Sequence, residues 1–112
     1  MDSILTTTKE LSGVMSEYDA FDKDLVMYIN SVFLVLKQLG VGPPEGFVIT
    51  GKDETWQDFI PDNKILREST KAYMGAKVRL QFDPPTGSAL LEALKEVIRE
   101  FEWRLNLEVE ST

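Results

Sequence analysis

Cysteine and histidine are both absent from the 112 residues. Without cysteine there is no disulfide framework and no thiolate nucleophile. Without histidine the chain lacks the commonest general base and the commonest metal ligand, and no Ser-His or Cys-His nucleophile can be assembled. No apolar run approaches the roughly 18 residues of a membrane-spanning helix. The opening Met1-Asp2-Ser3-Ile4 carries neither the basic nor the apolar region of a secretory signal. Together these absences fit a protein made in the cytosol, and no membrane partner is expected. Cations are also in deficit, 12 Lys and Arg against 19 Asp and Glu, for a net charge of −7. Duplex DNA is gripped mainly through Lys and Arg that displace counterions, so a DNA-gripping role is disfavoured. Passage of DNA alongside the chain is compatible, because like charge discourages sticking.

What is present is ordinary for a folded domain: 43% hydrophobic and 28% charged residues. The length suits a single domain over residues 1–112. The first helix is expected over Ser3 to Val14, with Ile4, Leu5 and Leu11 on its apolar face and Gly13 at its end. The second is expected from about Asp19 to Leu39. Leu25, Ile29, Val32, Leu36 and Leu39 recur at spacings of four, three, four and three, one continuous stripe. Val26, Phe33 and Val35 widen that stripe, which predicts neighbours on more than one side. Gly40-Val41-Gly42-Pro43-Pro44 terminates the helix.

Between Glu45 and Pro61 the pattern breaks. Phe47-Val48-Ile49-Thr50 reads as a short strand and Thr50-Gly51-Lys52-Asp53 as a turn. Thr55 to Ile60 fits either a helical turn or a returning strand. Trp56, Phe59 and Ile60 need burial, so the segment is expected to be a structured loop. The third main helix is expected over Asp62 to Phe82, with Ile65, Ser69, Ala72, Ala76 and Leu80 on one face. Gly75 sits inside it at about 1 kcal/mol relative to Ala, which predicts a close neighbour. Asp83-Pro84-Pro85-Thr86-Gly87-Ser88 forces a corner. The last helix is expected over Ser88 to Asn106, with Leu90, Leu94, Ile98, Phe101 and Leu105 inward. Leu107 to Thr112 reads as a tail. The fold class is therefore mainly α: a small bundle of about four helices with a short hairpin-like loop between the second and third main helices.

Three arrangements could carry chemistry, and each has a plainer reading. Asp22 and Asp24 lie two apart on a helix and cannot converge on one substrate. Glu92 and Glu96 form an i, i+4 pair beside Lys95 and Arg99, the pattern of a solvated face. Gly46-Phe47-Val48-Ile49-Thr50-Gly51-Lys52 matches the opening of a phosphate-binding loop. Asp53 stands where that loop needs Ser or Thr, and no strand precedes Gly46. The expectation is no enzyme, no cofactor and no metal. Trp103 and Leu107 fall off the core stripe of the last helix, so they serve either a partner surface or further core filling.

Two stretches are more telling. Phe21-Asp22-Lys23-Asp24-Leu25-Val26-Met27-Tyr28-Ile29-Asn30-Ser31-Val32-Phe33 precedes Leu36-Lys37-Gln38-Leu39-Gly40-Val41-Gly42. Val78-Arg79-Leu80-Gln81-Phe82-Asp83-Pro84-Pro85 leads to Glu100-Phe101-Glu102-Trp103-Arg104-Leu105-Asn106. Together they resemble the head–tail connector proteins, the portal adaptors of tailed phages that infect Gram-positive bacteria. The resemblance implies a structural virion protein at the neck, assembled in the host cytoplasm. It implies a homo-oligomeric ring of twelve that docks on the portal protein and receives a stopper or tail-completion protein. Genomic DNA would pass through the channel without specific binding. The candidate contacts to portal or neighbouring subunit are Trp103, Leu105, Leu107 and Val109 in the C-terminal segment, and Phe47 and Trp56 in the central loop. The alternative from another class is a small helical adaptor or regulator that binds one protein partner and has no virion role.

Overall fold

The computed structural model describes residues 2–13 and 19–110, and these form five helices. They are α1 (Ile4–Ser12), α2 (Asp22–Gln38), the single turn α3 (Trp56–Phe59), α4 (Lys64–Phe82) and α5 (Ser88–Glu110). The domain measures 38 × 33 × 20 Å. Its thin dimension is about two helix diameters, so the helices pack in two layers. The protein is mainly α, and a small helical bundle describes it.

Local chemistry accounts for the helix ends. Ser3 caps α1 by accepting from the Thr6 amide, and Gly13 closes it in the left-handed conformation at φ 87°. Val14, the expected last residue of that helix, lies outside the described residues. Asn63 caps α4 by accepting from Leu66 N, and Asp22 and Asp24 place negative charge at the start of α2. On α2 the sequence stripe is the core stripe: Leu25, Ile29, Val32 and Leu36 are buried and Leu39 is half-buried.

Helix α4 is central, packing against each of the other four helices. Its buried residues are Thr70, Tyr73, Met74, Gly75 and Val78. The stripe expected from the sequence is off by about one residue, roughly 100° around the helix. Ile65 and Ala72 face solvent, and Ser69, Ala76 and Leu80 are half-buried. A helix enclosed on several sides has no single apolar stripe, so small residues pointed to the wrong face. The expectation for Gly75 holds: a Cβ there would sit 2.8 Å from the Leu11 Cβ of α1.

The central loop differs from the hairpin reading. No strand forms among the described residues, and Phe47 to Thr50 pairs with no other strand. The partner is a side chain. Asn30 of α2 accepts from the Ile49 amide at 2.7 Å through Oδ1 and donates to the Ile49 carbonyl at 3.0 Å through Nδ2. Thr55 to Ile60 takes the helical option as α3, closed by a reciprocal capping box between Thr55 and Asp58. Residues 2–4 pass beside 54–56, joined by an antiparallel bridge between Ser3 and Thr55 and by Ile4 N donating to Glu54 O at 3.0 Å. The last helix also differs from expectation. Residues 107–110 continue α5 rather than forming a tail, because Val109 packs on Gly40 and Asn106 reaches the Leu39 carbonyl at 3.4 Å.

Candidate protein-interaction surface

The loop residues reach their positions through aromatic packing. Phe33 of α2 stands 5.2 Å from Phe47 and 4.7 Å from Phe59, ring centre to ring centre, and Trp56 stands 6.4 Å from Phe59. Trp56 is therefore fully buried: its indole belongs to the aromatic cluster that holds the loop on α2 rather than to the exposed surface. Phe47 is half-buried in the same cluster. Leu105 is buried as well, so it completes the stripe of α5 with Ile98 and offers no surface to a partner. Val109 is half-buried against Gly40.

Trp103 and Leu107 differ from these four. Trp103 is 64% exposed and Leu107 is also exposed. They lie four apart on α5, on the side turned away from Ile98 and Leu105. An open groove of about 740 Å³ runs between α5 and the start of α4, with Ile65, Leu66, Phe101, Trp103 and Leu107 among its walls. Ile65 is 73% exposed there. Isolated exposed leucines are unexceptional, but a Trp, an Ile and a Leu around one groove form an apolar patch of the kind that partners cover.

A second apolar face lies on α2, at residues the sequence reading did not single out. Met27 and Leu34 of α2 are 70% and 58% exposed, and Val48 of the central loop is exposed beside Leu34. Their spacing of seven along α2, opposite the stripe of Leu25 and Ile29, was the available signal. A helix apolar on two faces has one face to spare.

The surroundings are polar and tied down. Lys9 donates to Asp22 at 2.7 Å, linking α1 to the start of α2. Lys71 of α4 bridges Asp2 and Glu68. The Lys71 ammonium holds the Asp2 carboxyl below its ordinary value, against the upward push of partial burial, and the Thr7 hydroxyl adds to the lowering. Tyr73 donates to Glu102 at 2.8 Å, joining α4 to α5, and burial followed by that carboxylate pushes the phenol well up. Along α5, Glu92, Glu96 and Glu100 are met by Lys95, Arg99 and Arg104 within the helix.

The arrangements weighed for chemistry are otherwise engaged. Asp22 holds Lys9, and Glu92 and Glu96 belong to the solvated ladder of α5. In the stretch resembling a phosphate loop, three consecutive amides are already committed. Ile49 N donates to Asn30, and Thr50 N and Gly51 N donate to the Glu54 carboxylate at 3.0 and 3.4 Å. Burial pushes that carboxyl up, but the Thr50 hydroxyl and these amides outweigh it and the net shift is downward. A phosphate would have to displace a carboxylate and a core-facing Ile49. Among the described residues no three acidic side chains come together as metal ligands, and no helix is long and apolar enough to cross a membrane.

No curated protein and no solved structure shows significant similarity to the chain. A family model described as "Phage connector protein" does match, over residues 4–112. The match takes in both stretches that carried the resemblance, the five helices and both exposed apolar faces. On that extent, the chain belongs to the phage connector protein family.

Proposed function

We propose that this connector is a structural virion protein of the neck. It forms a ring, twelvefold like the portal, that docks on the portal vertex and receives a stopper or tail-completion protein on its other side. Its role is mechanical rather than catalytic, and it is assembled in the host cytoplasm. The observation that carries this reading is the uncovered apolar surface on the α5 end of the domain, with Trp103 at its centre. A large aromatic side chain left in water is what interfaces use as an anchor, and truncating such an anchor commonly costs 2 kcal/mol or more of binding. The acidic balance suits a wall past which DNA slides.

Sedimentation velocity of the chain mixed with its cognate portal tests the reading. Recruitment to the portal peak, weakened at least about tenfold by Trp103→Ala with folding intact, is the expected result. An assembled portal that recruits none of the chain over a hundredfold range of concentration overturns it.

A further inference from the structure

We propose that the outer edge of the central loop at Val48 receives an extended segment of the tail-side partner as an added strand. This rests on the neck reading above and adds to it the residue and the mode of that contact.

The edge is built by Asn30. Its one side-chain amide bonds both the N–H and the C=O of Ile49, at 2.7 and 3.0 Å. Those two groups point the same way only where the backbone is extended, as in an antiparallel pair. The residues on either side then turn their backbone groups the opposite way. At Thr50 that outward N–H is taken by the Glu54 carboxylate at 3.0 Å. At Val48 the N–H and the C=O have no hydrogen-bond partner among the described residues, and the residue is 63% exposed. The edge is short, bounded by the turn at Gly46 before it and by the Glu54 clasp after it.

The edge is also held in place. Phe47 packs on Phe33 and Phe59 at 5.2 Å from each ring, and Ile49 is buried. Val48 is thus fixed between two anchored neighbours, and a partner need not spend binding energy on ordering it. An unpaired N–H and C=O on an extended residue are the complement of another extended backbone. A helix pairs its own backbone groups and cannot supply them. A second copy is a poor source: its segment 2–4 is already joined to 54–56, and Val48 against Val48 is a two-fold contact that a heterologous ring does not make. With the portal assigned to the α5 end, the tail-side partner is the remaining neighbour. Exposed Leu34 stands beside Val48, so the incoming strand should carry an apolar residue on that face.

Hydrogen exchange of the chain on its cognate portal, with and without the cognate stopper or tail-completion protein, tests this. Fragmentation mass spectrometry resolves the amides. The Val48 amide should slow at least about tenfold when the stopper is added, while the Ile49 amide, already bonded, should change little. Val48→Pro removes a donor that the fold itself does not use, and Val48→Ala removes only the side chain. Val48→Pro should weaken stopper binding at least about tenfold, and Val48→Ala by less than about threefold. Should Val48→Pro not fold, exchange in the unmutated chain decides alone. A bound stopper that leaves Val48 exchange unchanged overturns the inference and leaves the neck reading standing. So does a Val48→Ala loss as large as that of Val48→Pro, or a Val48 amide slowed by the portal or by self-association alone. Failure of both portal and stopper to bind the chain would overturn both.

Discussion

Replacing Asn30 with Ala removes two hydrogen bonds at once and leaves both backbone groups of Ile49 without a partner. Ile49 is 2% exposed, so water reaches those groups poorly. An unsatisfied buried donor or acceptor costs about 1–3 kcal/mol. The amide of Asn30 is half-buried and its removal opens some space to water, so the total should fall near 2–4 kcal/mol. For a domain of this size that is roughly 8–16 °C in melting temperature. Thermal and urea denaturation measure the loss, and hydrogen exchange locates it. The Ile49 amide should lose protection, while the amides within α4 should change only by the global destabilisation. Asn30→Asp sharpens the point, since it keeps an acceptor for Ile49 N–H but sets a carboxylate against the Ile49 carbonyl. A loss under about 0.5 kcal/mol for Asn30→Ala, with Ile49 protection unchanged, would refute the claim that one side chain stands in for a strand here.

Three further outcomes follow from the packing and the charges. Gly42→Ala should cost about 2–5 kcal/mol, because φ is 93° and the new Cβ would lie 2.4 Å from the Phe59 ring; an unchanged urea midpoint would contradict this. Gly75→Ala gains about 1 kcal/mol of helix propensity but forces α4 from Leu11, for a net loss near 1 kcal/mol, and a gain in melting temperature would show that α1 yields freely. The Asp2 carboxyl, lowered below its ordinary 3.8, contributes stability present above that value and lost as pH falls through its folded pKa. Asp2→Asn should therefore flatten the acid side of the stability profile below about pH 4, read by urea titration at each pH, and an unaltered profile would show that Lys71 does not sense it.

The helical part of this fold was legible because α2 has one buried stripe and an emphatic end. Leu25 through Leu36 could be read directly, as could the corner at Asp83-Pro84-Pro85 and the close approach at Gly75. The reading weakened where burial comes from several directions. On α4 the neighbours on every side put Met74 and Tyr73 inside and Ile65 outside, and no single period describes that. Leu90 was misplaced for a related reason: α5 is about 34 Å long, and its apolar side chains pack on the core only from Leu94 onward. The central loop failed differently. Its extended segment has a side-chain amide as partner, and a contact between Asn30 and Ile49 leaves no periodic trace.

The surface was half legible. Trp103 and Leu107 stood out because they break the stripe of their helix. Trp56 and Leu105 did not, since an aromatic in a loop and a leucine near a helix end look alike whether buried or free. Met27 and Leu34 could have been found by asking which apolar residues lie opposite the stripe already assigned. That question separates helices with one apolar face from those with two.

Cryo-electron microscopy of the chain bound to its cognate portal tests the central claim most directly. The account predicts a closed ring of this chain on the portal, with Trp103 covered. A portal decorated by scattered monomers, or a ring in which Trp103 remains in solvent, would contradict it.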